Sequence, residues 1–134
     1  MYLCVIQPKH VQLTGIAMLN LFRSAAQSPA SDIVTRVNAG QVTLVDIRDP
    51  SEIRATGKAQ GALAIPLAVL RMKADPKSPD HDSRLVPDAP IAVYCASGAR
   101  SSMAKGMLTQ LGYRDVTNVG GLSDWQRAGG AIAR

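Results

Sequence analysis

Short apolar runs recur through the last hundred or so residues of this chain, and segments with helical spacing separate them. Val42–Val45 reads as a buried strand ending at Asp46–Pro50, Ala62–Ile65 as a second, and Ile91–Tyr94 as a third. The segment Tyr113–Asn118 contains a fourth, which Gly120 and Gly121 close. Ser31 and Asp32 are candidate caps for a short helix over Ile33–Val37, which Asn38–Gly40 can terminate. Pro50 and Ser51 suit the start of a further helical turn, and Gly57–Gly61 reads as a loop. Pro66 opens a helix carrying Leu67, Val69, Leu70 and Met72. The spacing then predicts helices over Ser101–Leu111, capped by Gly112, and over Leu122–Ala128 before Gly129 and Gly130. Residues 74–90 hold four of the eight prolines and read as a long connection, not a domain linker.

Short apolar strands separated by helices predict a mostly parallel sheet covered on both faces. Such sheets place ligands at the carboxyl ends of their strands. Asp46, Cys95 and Gly120 all lie just past strand ends and could share one rim, although the sequence leaves the strand order open.

A length of 134 residues fits one domain with a real core. With 46% apolar but only 4% aromatic residues, that core is expected to be built from Ala, Val, Leu and Ile. The formal charge of +5 favours anionic ligands at long range. The basic residues are nevertheless scattered, the aromatics form no stacking stripe and no zinc-finger spacing occurs, so no nucleic-acid partner is expected. Two cysteines, Cys4 and Cys95, are too few for a secreted disulfide scaffold, and a reducing, cytoplasmic setting is the simpler reading. His10 and His81 form no ligand spacing with either cysteine, so no metal is expected.

Residues 1–23 form an N-terminal extension to a domain expected over 24–134. Within it Val11–Phe22 resembles a signal-peptide core, with Lys9 before it and Ser24–Ala26 after it. Gln12, Thr14 and Asn20 interrupt the run, which is too short for a stable membrane span. A docked amphipathic helix is the leading reading, with export as the alternative.

The strongest chemical signal is Cys95–Arg100, between the third strand and the following helix. A cysteine there meets backbone N–H groups that lack intrahelical partners, and these, with the helix dipole, favour a thiolate. Gly98 lets the loop curl, and Arg100 offers a forked cationic donor to an oxyanion. A lone cysteine at a strand end is usually only a small buried residue. Strand, cysteine, glycine, arginine and helix in this order point instead to a nucleophilic sulfur in an anion cradle.

Four segments in order resemble the rhodanese family of single-domain sulfurtransferases, over roughly residues 30–130. Leu44–Glu52 is similar to its early Asp-x-Arg segment, and Gly57–Ala62 with Ala64–Pro66 to its Gly-His-Ile-x-Gly-Ala and Ile-Pro pattern. Val93–Ser101 matches its active loop, and Asn118–Trp125 its terminal Gly-Gly and Trp segment. Lys58 stands where the family often has His, and Ala96 where it often has a charged or amide side chain.

The resemblance implies a rhodanese-like α/β fold with a central five-stranded, mostly parallel sheet and helices on both faces. It implies Cys95 as the catalytic sulfur acceptor, forming a persulfide with thiosulfate or another persulfide donor. Ala96, Ser97, Gly98, Ala99, Arg100 and Ser101 would line the substrate cradle, mainly through backbone N–H groups. Cyanide, a thiol or a protein cysteine would then take the sulfur, with no metal or organic cofactor. Arg100 could bind the donor anion or brace the loop, and Ser101 could cap its helix or donate toward sulfur. Structural roles suit Asp46, Arg48 and Trp125 best, while Asp49 and Glu52 read as solvated or as caps. The rival readings are a persulfide carrier or regulatory binding module and, less well supported, a cysteine phosphatase or arsenate reductase. The phosphatases use Cys-x5-Arg where this chain has Cys-x4-Arg, a shorter loop and smaller cradle.

Overall fold

The fold is built on four parallel strands in a computed structural model that describes residues 29–134. The chain runs α1 (Pro29–Asn38), β1 (Thr43–Asp46), α2 (Pro50–Thr56), β2 (Lys58–Ala59), β3 (Leu63–Ala64), α3 (Leu67–Ala74), β4 (Ile91–Cys95), α4 (Ala99–Gln110), β5 (Val116–Gly121), α5 (Leu122–Arg127) and β6 (Ile132–Ala133). The central sheet has the order β3-β1-β4-β5. Cys4, His10, the 11–22 run and the expected boundary after residue 23 lie outside the described residues.

Alternation along the strands sends side chains to two faces, and each face has its own core. Val45, Ile91 and Val93 pack with Leu70 and Ala74 of α3 and with Ala104 and Leu108 of α4. Leu44, Ala92 and Tyr94 pack with Ile33 and Val34 of α1 and with Trp125 of α5. Helices therefore cover both faces, as the apolar runs predict. β4 is buried throughout, as expected of the central strand of a covered parallel sheet.

Three expectations need correcting in detail. The central sheet has four strands among the described residues rather than five; β2 instead pairs antiparallel with β6, Lys58 opposite Ala133 and Ala59 opposite Ile132. The segment expected to be a plain loop over Gly57–Gly61 thus supplies a two-residue strand. Such a short strand leaves no periodic trace, and its partner lies more than seventy residues away. Second, Gly120 and Gly121 do not close β5 but belong to it, facing Tyr94 and Cys95 across a register shift. Third, α4 begins at Ala99, not Ser101, because Gly98 at φ 104° turns the chain directly into the helix.

β1 lies between β3 and β4, and the chain leaves it on one side before crossing to the other. The carboxyl ends of β1 and β4 therefore flank a topological switch point, the usual ligand crevice of an open parallel sheet. Asp46 and Tyr94 are register partners there.

Candidate active site

Beneath the rim lies a buried polar network that holds the strand ends in place. Asp46 and Arg48 are almost fully buried and joined by two-point hydrogen bonding, Arg48 Nε to Oδ1 at 3.0 Å and Nη2 to Oδ2 at 2.8 Å. Arg48 also donates to Thr56 Oγ1 and to the Gly57 carbonyl, both at 2.9 Å, tying the end of α2 to β1. The Tyr94 hydroxyl donates to Asp46 and accepts from the Ala59 N–H at 2.8 Å. Asp46 and Arg48 thus have the structural role expected of them. Trp125 does too: it is fully buried, and its Nε1–H donates to the Ala131 carbonyl at 2.8 Å.

Cys95 ends β4 with its side chain buried, and the loop that follows turns back over its sulfur. The Gly98 N–H donates to Sγ at 3.0 Å, and the Ser101 hydroxyl lies 3.5 Å from it. Burial pushes the thiol up, but the Ser101 hydroxyl and the N–H groups of Ser101, Gly98 and Ser97 outweigh it and bring the pKa down from 9.0 to about 7. Ser101 contributes to the sulfur's environment, and its hydroxyl is also 2.7 Å from Asn118 Oδ1 and 3.0 Å from the Gly98 carbonyl.

The rest of the loop is shaped by backbone. Ala96, Ser97 and Ala99 are exposed, and the two alanines present only methyl groups. A Cβ on Gly121 would collide with the Ala96 carbonyl, so the loop can pass β5 only because that position is glycine. Lys58, on β2, donates its ammonium to the Ala62 carbonyl.

Arg100 makes a two-point ion pair with Glu52, Nη1 to Oε2 and Nη2 to Oε1 at 2.8 Å each. Glu52 also accepts the Asp49 N–H at 2.9 Å, so it caps α2 as expected while holding the loop arginine. The Arg100 hydrogen bonds, with help from the Asp49 N–H, hold the Glu52 carboxyl down at about 2. Glu52 and Asn118 are the two site residues that sequence reasoning did not place. Glu52 read as a cap or a solvated charge, and Asn118 stood in the family-like glycine segment without a role. Among the described residues no group of three or more His, Cys, Asp or Glu side chains could hold a metal, and no helix is long and apolar enough to cross a membrane.

Comparison with known proteins places this geometry. The family model described as rhodanese-like domain matches residues 29–128. A sulfurtransferase of Allochromatium vinosum is 40% identical over 89 residues, covering 66% of this chain and 75% of that protein. The thiosulfate sulfurtransferase PspE of Escherichia coli is 34% identical over 80 residues, covering 60% and 70% respectively. Among solved structures, a Rhodopseudomonas palustris protein of unknown function, named a possible tyrosine phosphatase, superposes with a TM-score of 0.70 at 33% identity, covering 87% of this chain and 92% of that one.

Proposed function

Because the chain belongs to the rhodanese-like domain family, we propose that it is a sulfurtransferase that carries a sulfane sulfur on Cys95, taken from thiosulfate or a persulfide and passed to a thiophilic acceptor. The observation that carries this reading is the Cys95 sulfur itself, at the switch point, with a pKa of about 7 and the Gly98 N–H directed at it. The lowered pKa makes the thiolate accessible near neutral pH, so the nucleophile is available without an adjacent general base.

The thiolate attacks the outer sulfur of thiosulfate. A Cys95 sulfur–sulfur bond forms, the bond to the sulfonate sulfur breaks, and sulfite leaves with the electron pair. The terminal sulfur of the persulfide then lies in the loop, where the N–H groups of residues 96–101 stabilise its charge, the function of an oxyanion hole turned to sulfur. Cyanide, a thiol or a protein cysteine attacks that sulfur and restores the thiolate. Donor and acceptor never meet, so the kinetics are ping-pong.

The name of the R. palustris neighbour favours a second reading, phosphate-ester hydrolysis through a phosphocysteine. The four residues between Cys95 and Arg100, and the engagement of Arg100 by Glu52, weigh against it. The deciding experiment is intact-protein mass after incubation with thiosulfate, and separately with a low-molecular-weight persulfide, for wild type and Cys95→Ala. A cyanide-removable gain of one sulfur, absent from the variant, supports sulfur transfer. No gain with either donor, together with hydrolysis of p-nitrophenyl phosphate, hands the site to the phosphatase reading.

A further inference from the structure

Arg100 is the only cation between Cys95 and Ser101, and so the group the loop itself would offer to an anionic donor. Both of its terminal nitrogens are engaged by one carboxylate. The partners come from opposite sides of the crevice: Glu52 lies in the helix that follows β1, and Arg100 in the helix that follows β4. The pair therefore links the two helices that follow the strands flanking the switch point, and Arg100 interacts electrostatically with Cys95. It is a paired fork, the strongest form of charge-assisted hydrogen bonding, and Glu52 is fixed from behind by the Asp49 N–H. Both side chains are about one-third exposed, so the pair is in reach of solvent and not in the core. The exposed residues Ala96 and Ala99 add no polar side chain that could take over the arginine's task.

We propose that Glu52 is a specificity-determining residue, which acts through Arg100 to withdraw the loop's cation from the sulfur pocket and so favours persulfide donors of low charge over dianionic thiosulfate. This rests on the sulfur-transfer reading above. Glu52 is a positioning residue, since it touches Arg100 and not the reacting sulfur. Thiosulfate brings two negative charges toward a thiolate, and the cation that follows Cys95 in the loop is already paired. The persulfide of an uncharged thiol, R–S–SH, brings at most one negative charge, and none in its protonated form. The Cys95 thiolate attacks its outer sulfur, the Cys95 sulfur–sulfur bond forms and the donor's breaks. R–S⁻ leaves with the electron pair, and the proton stays on the transferred sulfur. No oxidant or reductant is consumed.

The test compares wild type with Glu52→Gln, measuring persulfide loading of Cys95 by intact mass and kcat/KM for thiosulfate and for 2-hydroxyethyl persulfide, whose carbon chain carries no charge. Glutamine can still accept the Asp49 N–H, so the helix cap survives, and a thermal melt checks the fold. The oxygen on the Asp49 N–H still accepts from Arg100 Nη1, but the second bond and the negative charge are gone. With the arginine's charge no longer compensated, the ratio of kcat/KM for thiosulfate to that for 2-hydroxyethyl persulfide should rise about tenfold, chiefly through a lower thiosulfate KM. A merely structural role for Glu52 would lower both donors together and leave the ratio alone. An unchanged ratio, or a rise in thiosulfate KM showing that Glu52 orients Arg100 for the anion, overturns the proposal while sulfur transfer stands. Failure of both donors to load wild-type Cys95 overturns the two readings together.

Discussion

The Ser101 hydroxyl lies 3.5 Å from the Cys95 sulfur and 2.7 Å from the Asn118 carboxamide oxygen. Asn118 Oδ1 also accepts the Gly120 N–H at 2.9 Å, which fixes which end of the amide faces the serine. A hydroxyl has one proton to give. With Cys95 as a thiol, the sulfur donates to Ser101 and Ser101 donates to Asn118. Once the thiolate forms, the hydroxyl can turn to it.

Alkylation of Cys95 by iodoacetamide should therefore rise with pH along a curve centred near 7, because only the thiolate reacts and its fraction grows as pH climbs through the lowered pKa. Ser101→Ala removes the largest of the hydrogen bonds that lower that pKa, so its curve should shift to higher pH by roughly one unit. Mass mapping of the Cys95 peptide separates this signal from Cys4. An identical midpoint in the variant would leave the backbone N–H groups as the sole activators.

The Asp46–Arg48 pair tests the foundation of the rim. Asp46→Ala strands a buried guanidinium and should cost about 3–5 kcal/mol in denaturant unfolding. Tyr94→Phe leaves the Ala59 N–H without its acceptor and should cost about 1–3 kcal/mol. A loss of less than about 1 kcal/mol for Asp46→Ala would mean that water reaches Arg48 in its place.

Gly121→Ala drives a methyl group into the Ala96 carbonyl. The sheet edge or the loop must move, and since Gly121 is the register partner of Cys95, either shift displaces the groups around the sulfur, so sulfur loading of Cys95 should fall by at least about tenfold. Normal loading kinetics, measured by stopped reaction and intact mass, would show that the loop tolerates the displacement.

Cys4 is the second thiol of the chain and lies outside the described residues. Cys4→Ala is expected to leave turnover with thiosulfate and cyanide largely unchanged. A strong loss would identify it as a resolving thiol that attacks the Cys95 persulfide.

Much of the fold follows from local rules. The apolar runs at Val42–Val45 and Ile91–Tyr94 are the buried central strands, and Pro50 and Pro66 mark helix starts because a proline needs no N–H there. The environment of Cys95 is readable for the same reason: strand, glycine and helix N-terminus are adjacent in sequence, and together they direct the Gly98 N–H and the Ser101 hydroxyl at its sulfur. What the sequence left undetermined depends on partners far apart in the chain. β2 and β6 are two residues each and exist only because Ala59 and Ile132 meet. Glu52 is 48 residues from Arg100, and nothing in its own helix distinguishes a capping carboxylate from one that also holds the active loop. The amino-acid order thus determined the covered parallel sheet and the loop that surrounds Cys95, through periodicity, capping and glycine geometry. Only the tertiary structure decided where the loop's one cation points, because that depends on which helix the switch point brings to face it.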